Sequence, residues 1–135
     1  MVAETVVFIS DIPVMYAAGE RTTPISEQAP TAFDRLEGGL PTLSGRRFYG
    51  VVIDGQYRAC VAIKPGDDLQ NLPYPTWTIP GGKYVRQKLA DWEHQRHMIG
   101  STMMGMRKRK DFDSSRPCVE YYRSQRELLL MVPIL

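Results

Sequence analysis

Apolar and polar positions alternate along this chain in short runs of period two, and two stretches with a helical period interrupt them. Thr5 to Ile9 is rich in β-formers, and Asp11 to Ala18 continues in extended style, with Pro13 marking an edge, a bulge or a strand start. Ser26 to Leu36 predicts a helix. Ser26 is a candidate N-cap, Ala29, Phe33 and Leu36 fall on one face, Gly38-Gly39 ends it, and Pro30 fits best in a first turn. Arg46 to Ile53 and Tyr57 to Ile63 flank Asp54-Gly55, a hairpin signal because both turn positions need positive φ. Lys64 to Pro75 reads as a connecting loop. The pattern then restarts. Thr76 to Lys88 is a strand broken at Pro80-Gly81-Gly82, and Asp91 caps a predicted helix from Trp92 to about Lys108. The basic run Arg107 to Lys110 suits that helix's negative end. Arg116 to Ile134 closes the chain as a hairpin turning at Arg123 to Arg126.

Each half therefore reads strand, helix, strand, strand: one repeat over about residues 5–64, the other over about residues 75–135. Ile12-Pro13 and Ile79-Pro80 play the same role in the two halves, and Ser44 to Tyr49 matches Ser114 to Val119. The expectation is an α+β fold: two pseudo-twofold β-α-β-β repeats forming one domain over residues 1–135, an antiparallel sheet with two helices.

Composition narrows the functional classes. With 135 residues and 43% hydrophobic content the chain can build a core, and a net charge of +2 is too mild to imply nucleic acid. Cys60 and Cys118 sit in apolar runs and read as buried thiols. No apolar run reaches the ~20 residues of a membrane span. No basic-then-apolar leader opens the chain, so a cytoplasmic location is expected. There is no phosphate loop, no dinucleotide fingerprint and no nucleophile elbow. His94 and His97 lack further ligands at metal-binding spacing, so no metal and no cofactor is expected.

The most informative residue is Glu120, one acid among Val119, Tyr121 and Tyr122. A carboxylate on an aromatic strand costs desolvation energy unless a partner inside the protein or a cationic ligand compensates it. Alternation puts Cys118, Glu120 and Tyr122 on one face, with Arg58, Arg116 and Arg123 as candidate internal partners. Trp77 reads either as core or as a stacking wall. Met98, Met103, Met104 and Met106 make a methionine-rich helix, suited to core packing or to an adaptable pocket.

Several runs together resemble the gyrase-inhibitor-like small-molecule-binding family, whose module also serves multidrug-responsive transcription activators as an effector-binding domain. They are Ile12-Pro13 and the strand after it, Phe48 to Val52, Tyr57 to Ile63, Trp77 to Tyr84, Arg116 to Tyr122, and Leu128 to Ile134. The resemblance implies a groove at the pseudo-twofold axis, walled by aromatics, with one acid at its base that binds lipophilic and often cationic compounds. Glu120 matches that acid by position. Gly50, its counterpart in the first half, would leave room for a ligand. Trp77, Tyr49, Tyr122, Tyr84, Tyr16 and Phe33 would line the groove. No DNA-binding helix-turn-helix pattern precedes the first strand, which argues against direct nucleic-acid contact.

Three functions follow from this resemblance as expectations. The first is a stand-alone binding protein that sequesters or senses hydrophobic or cationic small molecules. The second is a hydrolase of cyclopropane-bearing toxins, with Glu120, Tyr122 and Trp77 as its catalytic residues. The third is an inhibitor protein docking on the gyrase machinery through the basic run at Lys108 and Arg109.

Overall fold

The computed structural model describes residues 3–135 and contains eight strands and two α-helices, the α+β class expected. In chain order these are β1 (Glu4–Ile9), β2 (Ile12–Ala18), α1 (Ile25–Gly38), β3 (Phe48–Ile53), β4 (Gln56–Ala62), β5 (Thr76–Ile79), β6 (Gly82–Ala90), α2 (His97–Met106), β7 (Val119–Tyr122) and β8 (Glu127–Pro133). They form two compact units. A continuous unit runs from Ile12 to Ile79. A split unit joins the segment ending at Asp11 to Pro80–Leu135.

The continuous unit is an antiparallel sheet in the order β3-β4-β2-β5. The turn between β3 and β4 is the predicted hairpin, with φ of 51° at Asp54 and 76° at Gly55. One sheet face carries Met15, Ala17, Tyr57, Ala59 and Val61, which close a core against Ala32 and Leu36 of α1. The split unit repeats this order as β7-β8-β6-β1. Its core joins Val85, Leu128, Leu130, Val132 and Ile134 to Met106 of α2.

Both long first strands expected from the sequence are interrupted. β1 leads into β2 along the chain but pairs with β6, and β5 leads into β6 but pairs with β2. One hydrogen bond fixes the two interruptions side by side in the split unit, the Gly81 amide donating to Asp11 Oδ1 at 2.7 Å.

The helices depart from expectation at their ends. α1 begins at Ile25, Ser26 does not cap it, and Pro30 lies inside the helix rather than in its first turn. What anchors α1 is Gln28, 2% exposed. Its amide nitrogen donates to the carbonyls of Thr23 (2.7 Å) and Gly55 (3.2 Å), and its Oε1 accepts the Tyr57 amide at 2.9 Å. Gly19 makes this possible, because a Cβ there would lie 2.6 Å from Gln28 Oε1. The predicted second helix splits. Asp91 adopts φ 51° instead of capping, and its amide donates to Arg126. Residues Trp92–His94 form a single 3-10 turn, and α2 starts only at His97. The basic run lies beyond the helix end, where Arg109 pairs with Asp111 (2.9 Å) and Glu4 (3.0 Å). α2 is weakly supported: it has no side-chain cap and only Met106 is buried.

Two stability predictions follow. Gln28→Met leaves the Tyr57 amide and two carbonyls without their partner, so the urea midpoint should fall by the equivalent of about 3 kcal/mol. Gly100 of α2 has open space where a Cβ would sit. Gly100→Ala should therefore raise stability by about 0.5–1 kcal/mol in the same assay.

Candidate functional site

In the split unit, β7 pairs with β8 so that Glu120 lies opposite Leu130 and Tyr122 opposite Leu128. Both residues thus share the sheet face of the α2 core. Tyr122 Oη donates to Glu120 Oε1 at 2.7 Å. The Tyr122 ring meets Trp92 edge-on, with centroids 5.0 Å apart at 73°. Trp92 Nε1 in turn donates to the Ser124 carbonyl at 2.9 Å, tying the ring to the β7–β8 turn. A chain of contacts from the turn through Trp92 and Tyr122 therefore orients the carboxylate. Ile99 and Met103 of α2 pack on the same core beside Trp92, Tyr122 and Cys118.

Two of the candidate partners for Glu120 are engaged elsewhere in this unit. Arg116 Nε pairs with Asp113 Oδ2 at 2.8 Å, and Arg123 lies 3.7 Å from Glu127. The other donors of Arg116 reach the carbonyls of Gly81, Lys83 and Ile134. Its guanidinium also lies 4.9 Å from the Tyr84 ring centroid. Tyr84 itself is fully buried and donates to the Pro80 carbonyl at 2.6 Å, so its ring is part of the scaffold. Burial pushes the Tyr84 hydroxyl up and Arg116 opposes the shift. The Cys118 thiol is pushed up to about 11, chiefly by burial, with Arg107 opposing and Glu120 adding to it.

In the continuous unit the register places Tyr16 and Tyr49 opposite Cys60 and Trp77 opposite Val14, all on the face away from α1. Tyr49 is buried there. Gly50 lies opposite Ala59 on the helix face, as does Phe33, which meets Phe48 and Tyr57 edge-on. Tyr16 and Trp77 come together around a residue that the sequence reading named only as a partner for Glu120. The Arg58 guanidinium lies 4.4 Å from the Tyr16 centroid and 4.9 Å from that of Trp77. The signal for it was present, since Arg58 is the lone charge of β4 just as Glu120 is the lone charge of β7. An open recess of about 650 Å³ lies where α1 ends, lined by Arg35, Gly39, Tyr74 and Pro75 among others. Arg35 reaches the Ala18 carbonyl there, and Tyr74 donates to the Arg35 carbonyl.

Among the described residues no three His, Cys, Asp or Glu side chains gather as a metal site, and no helix is long and apolar enough to cross a membrane.

No family model and no curated protein matches the chain. Solved structures do. An integron cassette protein from the mobile metagenome of Vibrio cholerae superposes with a TM-score of 0.74 at 11% identity, over 98% of this chain and 95% of that one. SAV2435 bound to tetraphenylphosphonium gives 0.62 at 11%, over 98% and 94%. A hydrolase from Listeria innocua gives 0.55 at 13%, over 98% and 91%. These likenesses establish the fold.

The Cys118 shift gives a chemical readout of Glu120. Alkylation of Cys118 by iodoacetamide should be slow at pH 8 and should rise with a midpoint near pH 11, because a raised pKa keeps the thiol protonated. Glu120→Gln should lower that midpoint while leaving it above the ordinary thiol range, since burial is the larger cause.

Proposed function

We propose that this chain binds lipophilic small molecules, with a preference for cations, and that Glu120 supplies the charge contact. The observation that carries the reading is the carboxylate's setting: half-buried, held at 2.7 Å by the Tyr122 hydroxyl, and backed by the Trp92 ring. A large, weakly hydrated cation loses little on leaving water, gains from aromatic faces, and takes direction from one fixed negative charge. Met103 and Ile99 beside the site are apolar, and the thioether adapts its shape to its neighbour. The weak support of α2 fits the same role, since a helix with one buried residue can adjust over ligands of different size. A structural neighbour holding tetraphenylphosphonium supports this ligand class. Sequestration and sensing are both compatible with such binding.

A hydrolytic reading uses the same pair, with Glu120 positioning water and Tyr122 holding the carboxylate, and the Listeria innocua neighbour favours it. A ring-opened water adduct of a cyclopropane-bearing alkylator, lost in Glu120→Gln, would select that reading.

The binding test is calorimetric titration with tetraphenylphosphonium. Glu120→Gln should weaken binding by about 1.5–3 kcal/mol, the worth of a hydrogen bond or contact to a charged group. A neutral aromatic of similar shape should lose little. Equal loss for both would assign Glu120 a structural role and sink the proposal.

A further inference from the structure

The aromatic pair Tyr16 and Trp77 would suit a cationic ligand, but a cation of the protein already occupies it. Arg58 projects from β4 across β2, so that its guanidinium lies against both rings. Val14 and Cys60, both fully buried, form the floor beside it on the same sheet face. Arg58 is itself half-buried, and its Nε is buried with no hydrogen-bond partner. Among the described residues no carboxylate pairs with it.

The Nε of Arg46 is also buried without a partner, but the outer nitrogens of Arg46 and the donors of Arg116 are engaged by oxygens. Arg46 spends both Nη groups on Asp67, at 2.7 and 2.9 Å, and Arg116 spends its donors on Asp113 and three carbonyls. In Arg58 the rings fix the plane of the guanidinium. A planar fork held in place is complementary to a carboxylate, which accepts two parallel N–H bonds. The rings of Tyr16 and Trp77 offer apolar area to whatever body carries that carboxylate.

We propose that Tyr16, Arg58 and Trp77 form a binding site for planar aromatic carboxylates, with Arg58 as the charge anchor. The site lies within the continuous unit and shares no residue with the Glu120, Tyr122 and Trp92 group, so the two readings can fail separately.

The test titrates the full chain with 1-naphthoate, its methyl ester, and 1-naphthylmethylammonium, following heat and tryptophan fluorescence. The carboxylate should bind saturably, and the ester and the ammonium at least tenfold more weakly. Arg58→Met should lose at least tenfold for naphthoate. Arg58→Lys keeps the charge without the fork and should fall in between. Trp77→Leu should weaken naphthoate while leaving the order of the three compounds unchanged. Glu120→Gln should leave naphthoate binding as it is. Melting curves of each variant establish that it is folded, and Arg58→Lys carries the comparison if Arg58→Met does not fold. Absence of saturable naphthoate binding, equal binding by ester and carboxylate, or unchanged affinity in Arg58→Lys would overturn the proposal. So would the appearance of ammonium binding in Arg58→Met alone, which would make Arg58 a resident occupant of a cation site.

Discussion

A guanidinium taken out of water must find acceptors in its plane or a π face above it, and much of this fold is arranged around that demand. Arg46 and Arg116 meet it in comparable settings, Arg46 just before β3 and Arg116 just before β7. Arg46 holds Asp67 through two parallel bonds, and that pairing keeps the Asp67 carboxyl below its usual range. Arg116 gathers the carbonyls of Gly81, Lys83 and Ile134 as well as Asp113, whose carboxyl Ser115 and Arg116 hold at about 2. These contacts pin the segment leading into β7 to β6 and the end of β8, and so set where Glu120 emerges. Arg58 meets the demand with two rings instead of oxygens.

The outcome is a pair of charges, each the single one of its strand, Arg58 on β4 and Glu120 on β7, held differently. Glu120 is held by a neighbouring hydroxyl two residues along its own strand. Arg58 is held by rings from two other strands. A carboxylate oriented by a tyrosine hydroxyl suits a diffuse cation, whereas an arginine fixed by stacking keeps a planar fork. The difference explains why aromatic content alone does not tell which sign of ligand a sheet face accepts.

Much of the fold was legible from local pattern. The alternation in β3, β4, β7 and β8, the Asp54-Gly55 turn and the end of α1 at Gly38-Gly39 all follow from residue-level rules. Three things were not. The exchange of β1 and β5 depends on pairing between distant segments, which hydrophobic period does not encode. The anchoring of α1 by Gln28 is a tertiary network, and it overrides both the missing cap and Pro30. The break at Asp91 comes from bonds that Asp91 and Trp92 make to Arg126 and Ser124 in a later turn. For the site, the single acid of β7 and its sharing of a face with Tyr122 were readable from that strand itself. The contribution of Trp92 was hidden, because it arrives from a turn that the pattern assigned to a helix.

The route of the backbone has an evolutionary corollary. The chain leaves the split unit after Asp11 and re-enters it at Pro80, and the Gly81 amide bonded to Asp11 brings exit and entry together. Everything between them is one uninterrupted stretch with four strands, a helix and its own core. Both crossing points of the backbone therefore sit at one hydrogen bond, and any exchange of the stretch would have to keep Asp11 and Gly81 as a matched pair.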